Sequence, residues 1–199
     1  MLKVFSRRLQ HCNDVASSIN QASTAQLHQL KAQLAEQMGK PVGLHTMGFP
    51  AVISTLGIIV SFALPQLWLG YGVLASLNQP AERVFVWVIL VALFFAGING
   101  LTVFMIGKGS MRALRLHFAL AVISLLLTLA WLVSVLAGAN SPGNDLVAAL
   151  LSVAMLLLSG GCILSTAFYK MLLFALHNRA WRQLIRRTRK THYSHLTKS

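Results

Sequence analysis

Four stretches of this chain are apolar almost without interruption, at residues 51–74, 84–106, 114–136 and 146–169. A helix rises 1.5 Å per residue, so about 20 residues cross the roughly 30 Å hydrocarbon core of a bilayer. None of the four has Asp, Glu, Lys, Arg or His in its middle. In lipid each backbone must satisfy its own hydrogen bonds, which makes every stretch a helix. The whole chain is 56% hydrophobic and only 11% charged. A soluble domain carries about 25% charged residues. The expectation is an all-α integral membrane protein with four transmembrane helices.

The connections are short: "ASLNQPAER", "GKGSMRA" and "AGANSPGND". Short loops make sequential helices antiparallel, which gives an up-down bundle. "SPGND" reads as a tight turn, with Asn144 or Asp145 capping the next helix. Pro65 is expected to kink the first span, and Gly160 with Gly161 to loosen the fourth.

Charge sets the orientation. The net charge is +13, with acids only at Asp14, Glu36, Glu82 and Asp145. Of the 17 Lys and Arg residues, Arg83 alone falls on one side of the spans. Lys and Arg mark the cytoplasmic side, so both termini are expected there. Trp68, Trp87 and Trp131 sit near the outer ends of their spans, as an interfacial belt requires. The first apolar run begins near Gly48, too late for a signal peptide, so a retained N-terminus is expected. A bacterial inner membrane fits these features. Cys12 lies in a polar segment and Cys162 in an apolar run, so no disulfide is expected.

Residues 1–45 form a polar N-terminal segment, 46–178 the membrane bundle and 179–199 a basic tail. Within the first, residues 14–38 favour an amphipathic helix. Val15, Ile19, Ala22, Leu27, Leu30, Leu34 and Met38 recur at steps of mostly three and four. Asp14, or Ser23 with Gln26, is a candidate cap. "GKPVG" and Pro50 break the helix before the first span. The fourth apolar run continues past Lys170 into "MLLFALHN". As one helix, residues 146–176 would reach about 46 Å, too long for the hydrocarbon at ordinary tilt. Lys170 is placed at the inner interface. The part beyond it needs cover, and residues 14–38 against 171–185 would form a small cytoplasmic cap.

Polar groups within the spans are few. Asn99, Ser124, Thr128, Ser159, Cys162, Ser165 and Thr166 are the main ones. A buried Asn or Ser typically bonds across helices for about 0.6 kcal/mol, up to about 2. Small-xxx-small spacing allows close helix approach. Candidate helix contacts are therefore Gly57, Ser61, Ala96, Asn99, Gly100, Ser159, Gly160 and Gly161. An intramembrane charge is the usual device of coupled transport, and none is present. His45, His117 and His177 sit at cytoplasmic ends of three helices without carboxylates to orient them, so neither haem nor zinc is expected. No nucleophile motif or nucleotide cradle is present. The reading is no enzyme and no cofactor.

The tail "RAWRQLIRRTRKTHYSHLTKS" separates as a helix into two faces. Trp181, Leu184 and Ile185 form one; Arg179, Arg182, Arg186 and Arg189 form another, beside Arg187 and Lys190. A basic amphipathic helix lies along an anionic inner leaflet, where each cation adds about 1 kcal/mol. These nine residues are candidates for lipid or partner contact. Nucleic acid is not expected, since aromatic interleaving is missing. The functional expectation is an interaction protein: an accessory or assembly subunit of a membrane complex, or an immunity or exclusion protein, partnered by another membrane protein or a second copy. The competing expectation is a small oligomeric transporter or lipid-binding protein with a polar cavity on Asn99, Thr128 and Ser159.

Overall fold

The computed structural model describes residues 2–39, 48–138 and 143–196, with side chains described from Lys3 and as far as Arg189. His45, most of "GKPVG", Ser141 and Pro142 lie outside the described residues, as does the side chain of Lys190. Among the described residues the protein is all-helical, with no strand. The helices are α1 (Leu2–Gln21), α2 (Thr24–Met38), α3 (Phe49–Ala63), α4 (Gln66–Ser76), α5 (Val84–Gly107), α6 (Met111–Leu136), α7 (Leu146–Leu164) and α8 (Thr166–Leu196), with a 3-10 turn at Ala81–Arg83 before α5. Four segments are long and apolar enough to cross a membrane: Phe49–Ser76, Ala81–Gly107, Met111–Leu136 and Leu146–Leu164.

Cα packing divides the chain into two compact units. The first comprises Met1–Pro50, Phe104–Ala113 and Leu164–Ser199; the second comprises Ala51–Val103 and Leu114–Ile163.

The second unit has the polarity of a membrane protein. Its polar side chains are inside: Ser54, Thr55, Ser61, Gln66, Asn99, Thr102, His117, Ser124, Thr128, Ser152 and Ser159 are all buried. Its large apolar side chains are outside, and on α5 alone Phe85, Val86, Ile89, Leu90, Leu93, Phe94 and Leu101 are exposed. Water would penalise that arrangement and hydrocarbon favours it. The chain is a multi-pass membrane protein. Its apolar core centres on Ile58, Phe95 and Leu120, with Phe62 stacked on Phe95 at 3.6 Å between ring centroids.

Pro65 divides the first span, as its position predicts. α3 ends at Ala63 and α4 starts at Gln66. Pro has no N–H, so the helical bond to the carbonyl four residues earlier, that of Ser61, cannot form.

Two sequence expectations need correction. Residues 14–38 are not one helix: α1 begins at Leu2, and the chain breaks at Ala22–Ser23. Ser23 caps α2 in a capping box. Its Oγ accepts from Gln26 N–H at 3.3 Å, and its own N–H donates to Gln26 Oε1 at 2.8 Å. Asp14 is mid-helix in α1, so it caps nothing. Nor does the fourth apolar run form one long helix through residue 176. α7 stops at Leu164, and Ser165 starts a new helix by accepting the Phe168 N–H at 3.1 Å. The 19 residues of α7 reach about 28 Å, the hydrocarbon thickness without tilt. The break falls at Ser165 and not at Gly160–Gly161, which stay helical.

In the first unit, α1 and α2 both pack on α8. α1 buries Cys12, Val15, Ala16 and Ile19, a strict i, i+3, i+4, i+7 stripe. α2 buries Leu27 and Leu34, and α8 buries Leu173 and Leu176 among others. Burial pushes the Cys12 thiol up to about 12, so it stays protonated and behaves as an apolar core group.

Candidate functional site

Buried polar groups of the second unit form a row, and Pro65 sets one end of it. Ser61, left without its helical donor, has a carbonyl that accepts two hydroxyls instead. Thr128 Oγ1 of α6 donates at 3.2 Å and Ser152 Oγ of α7 at 3.0 Å. Those two hydroxyls lie 2.9 Å apart, and since each has one proton, whichever donates to the other leaves the carbonyl to its partner. Ser124 Oγ reaches the Ile58 carbonyl at 3.4 Å. Further along α3, Ser54 Oγ lies 2.9 Å from His117 Nε2 and 3.2 Å from Ser159 Oγ. Three helices are thus joined by hydroxyls that serve one another, with no Asp, Glu, Lys or Arg among them. Such a row fixes register and depth.

Small residues let these groups meet. A Cβ added at Gly57 would lie 2.7 Å from the Met155 carbonyl oxygen and 2.9 Å from Ser159 Cβ. Gly70 gives Trp87 room in the same way, and Gly143, at φ +85°, lies against the backbone of Leu67 and Trp68.

The structure brings together Gly57, Ser61 and Ser159 from the sequence-based candidates. Gly100, Gly160 and Gly161 behave otherwise: nothing lies within 4 Å of an added Cβ at any of them. Ala96 is half-buried. Asn99 is buried but bonds its own helix, donating to the Phe95 carbonyl at 2.9 Å. Sequence reasoning missed Ser54 and Ser152. The signal for Ser152 was available, since Ser61 stands four residues before Pro65 and its freed carbonyl needs donors. His117 was expected at the membrane interface and is fully buried.

The hydroxyl pair supports a direct test. Thr128→Val and Ser152→Ala should each cost about 0.6 kcal/mol and at most about 1.7, with a double-mutant coupling of similar size. Reversible unfolding in mixed micelles measures it. Strict additivity would show that the two hydroxyls act independently.

The first unit holds the tail candidates. Arg179 donates to the Gly109 carbonyl at 2.7 Å and to Asn20 Oδ1 at 2.9 Å. Arg182 donates to the Lys108 carbonyl at 3.0 Å, and Arg187 to the Ala22 carbonyl at 2.6 Å. Arg186 and Arg189 are exposed. The expected apolar face is split. Leu184 is buried within this unit, whereas Trp181 and Ile185 are exposed. The Lys31 ammonium sits 5.3 Å over the Trp181 ring. His177 is held below its ordinary pKa by burial and then by the Lys31 charge, so it is neutral at pH 7. The sequence marks Gly109 only as part of a short loop. It has φ +78°, and an added Cβ would stand 3.0 Å from the Ala175 carbonyl oxygen.

No protein-family description matches this chain, and neither characterised proteins nor solved structures give a similar one.

Proposed function

We propose that the protein is a non-enzymatic subunit of the bacterial inner membrane, acting through helix faces and cytoplasmic contacts with other membrane proteins. In this reading its four spans form an antiparallel up-down bundle with both termini cytoplasmic. It serves as an accessory or assembly subunit, or as an immunity or exclusion protein that occupies a partner within the bilayer. The observation that carries the reading is the split among the small residues. Gly57 is spent on packing within the chain, while Gly100, Gly160 and Gly161 face open space. Outward glycines in a spanning helix allow a second helix to approach closely. The polar row supports the same reading, because its hydroxyls are already engaged with one another.

The experiment is mild-detergent affinity purification of the full chain with identification of stable co-purifying proteins. Gly160→Leu with Gly161→Leu should reduce recovery of the partner about tenfold at unchanged expression, since leucine blocks close approach. Full recovery in that variant, or the absence of any partner, argues against the reading.

One observation favours the lipid-binding alternative. An apolar groove of about 230 Å³ runs between α6 and α7, lined by Leu125, Leu129, Val153, Leu156 and Ile163, with Thr128 and Ser159 at its edge. It suits an acyl chain or a partner side chain. Asn99 does not line it, so a silent Asn99→Leu leaves this alternative standing and weakens only the transporter version.

A further inference from the structure

The first unit contains a concave pocket of about 580 Å³, built from three chain segments. Asn20 comes from α1, Lys108 from the α5–α6 connection, and Arg179, Arg182, Arg186 and Arg187 from α8. Among the described residues, five cations and no Asp or Glu line one hollow. Their placement is built rather than incidental. Arg179, Arg182 and Arg187 are each held by neutral acceptors, namely the carbonyls of Gly109, Lys108 and Ala22 and the amide oxygen of Asn20. Neutral acceptors orient a guanidinium and leave its charge intact. Each Arg has five N–H donors, so Arg179 and Arg182 keep donors for a ligand beyond these bonds. Positive φ at Gly109 turns the loop so that its carbonyl faces Arg179. Five like charges converging on one hollow favour an anion there.

We propose that this pocket binds a phosphate-bearing anion with at least two negative charges. Forked guanidinium donors match phosphate oxygens, and the hollow has room for more than one phosphate. The inference deepens the lipid contact expected of the tail and rests on it for one source of the phosphate, a lipid headgroup. A soluble polyphosphate offers the same chemistry.

The test uses the full chain in phosphatidylcholine nanodiscs, doped either with cardiolipin or with no anionic lipid, the latter titrated with inorganic pyrophosphate. Binding is read by native mass spectrometry and by the shift in melting temperature. Arg182→Gln with Arg186→Gln should weaken binding at least about tenfold, because charged hydrogen bonds to phosphate are lost. Lys3→Gln with Arg7→Gln makes the same charge change on exposed α1 positions and should weaken it less than about twofold, as a screened surface effect. Both pocket side chains are exposed, so the fold should survive the change, and each variant's shift is read against its own ligand-free melting temperature; Arg182→Lys, which keeps the charge and loses the fork, provides a second variant with an intermediate loss. Pocket-dependent binding of cardiolipin alone assigns the phosphate to lipid, and equal dependence for pyrophosphate assigns it to a soluble ligand. Equal, small losses in both double variants overturn the pocket and leave diffuse attraction to an anionic leaflet. No preference for cardiolipin over phosphatidylcholine, and no pyrophosphate binding, overturns both.

Discussion

Gly57→Leu should destabilise the second unit by more than about 3 kcal/mol, beyond the usual 1–3 kcal/mol for an overpacked core. The reason is what a side chain meets there. Even a methyl would stand 2.7 Å from the Met155 carbonyl oxygen and 2.9 Å from Ser159 Cβ. A flexible side-chain tip could swing away from such a contact; a helix backbone cannot, so α3 and α7 must separate. Separation also breaks the 3.2 Å contact between Ser54 and Ser159. Gly57→Ala makes a graded version of the same test, with a clash partly offset by the roughly 1 kcal/mol that alanine adds to a helix over glycine. Gly100→Leu is the control, since an added Cβ there meets nothing within 4 Å. It should cost nothing and gain up to about 1 kcal/mol from helix propensity. Unfolding by sodium dodecyl sulfate in mixed micelles measures all three. Similar losses at Gly57 and Gly100 would show that the close approach of α3 to α7 does not limit stability.

These two glycines also show what could be read from the sequence and what could not. Spanning length and the helix class follow from composition along the chain, because hydrocarbon demands them of any sequence. The kink at Pro65 follows too, since a missing N–H is a property of the residue alone. Which side of a span faces its neighbours is harder. α5 is apolar all round, so periodicity carries no signal, and Gly57 and Gly100 look alike until their surroundings are known. The polar row was half legible: Thr128 and Ser159 stood out as hydroxyls in apolar runs, whereas Ser54 and Ser152 did not. The role of Ser152 depends on Ser61 losing its helical donor, a consequence four residues removed from its cause, and that of Ser54 on His117 and Ser159 of two other helices. The break at Ser165 was hidden for a different reason. Hydropathy runs smoothly across it, and one serine cap outweighs that continuity. Similarly, the face of Trp181, Leu184 and Ile185 is real as a pattern, but Leu184 is covered by its own chain.

Leu173→Ala is expected to have the second large effect, a loss of about 2–5 kcal/mol, the range for deleting a buried leucine side chain. Leu173 is 0% exposed on α8. α2 packs on α8, and its Leu27 and Leu34 are also fully enclosed, at 0% and 1% exposure. α2 has only those two buried residues. A helix of 15 residues is marginal on its own in water, so its persistence depends on that narrow stripe. The loss should therefore be local before it is global. Hydrogen exchange of the α2 amides should rise in Leu173→Ala while the α6 amides keep their protection. Ile185→Ala, at an exposed position on the same helix, should leave α2 exchange unchanged. Cysteine pairs provide an independent measure: Leu34→Cys with Leu173→Cys or Leu176→Cys should oxidise to a disulfide if the side chains approach as the packing requires. Unchanged α2 exchange in Leu173→Ala, with no crosslink at any of these registers, would mean that α2 is held by something other than α8.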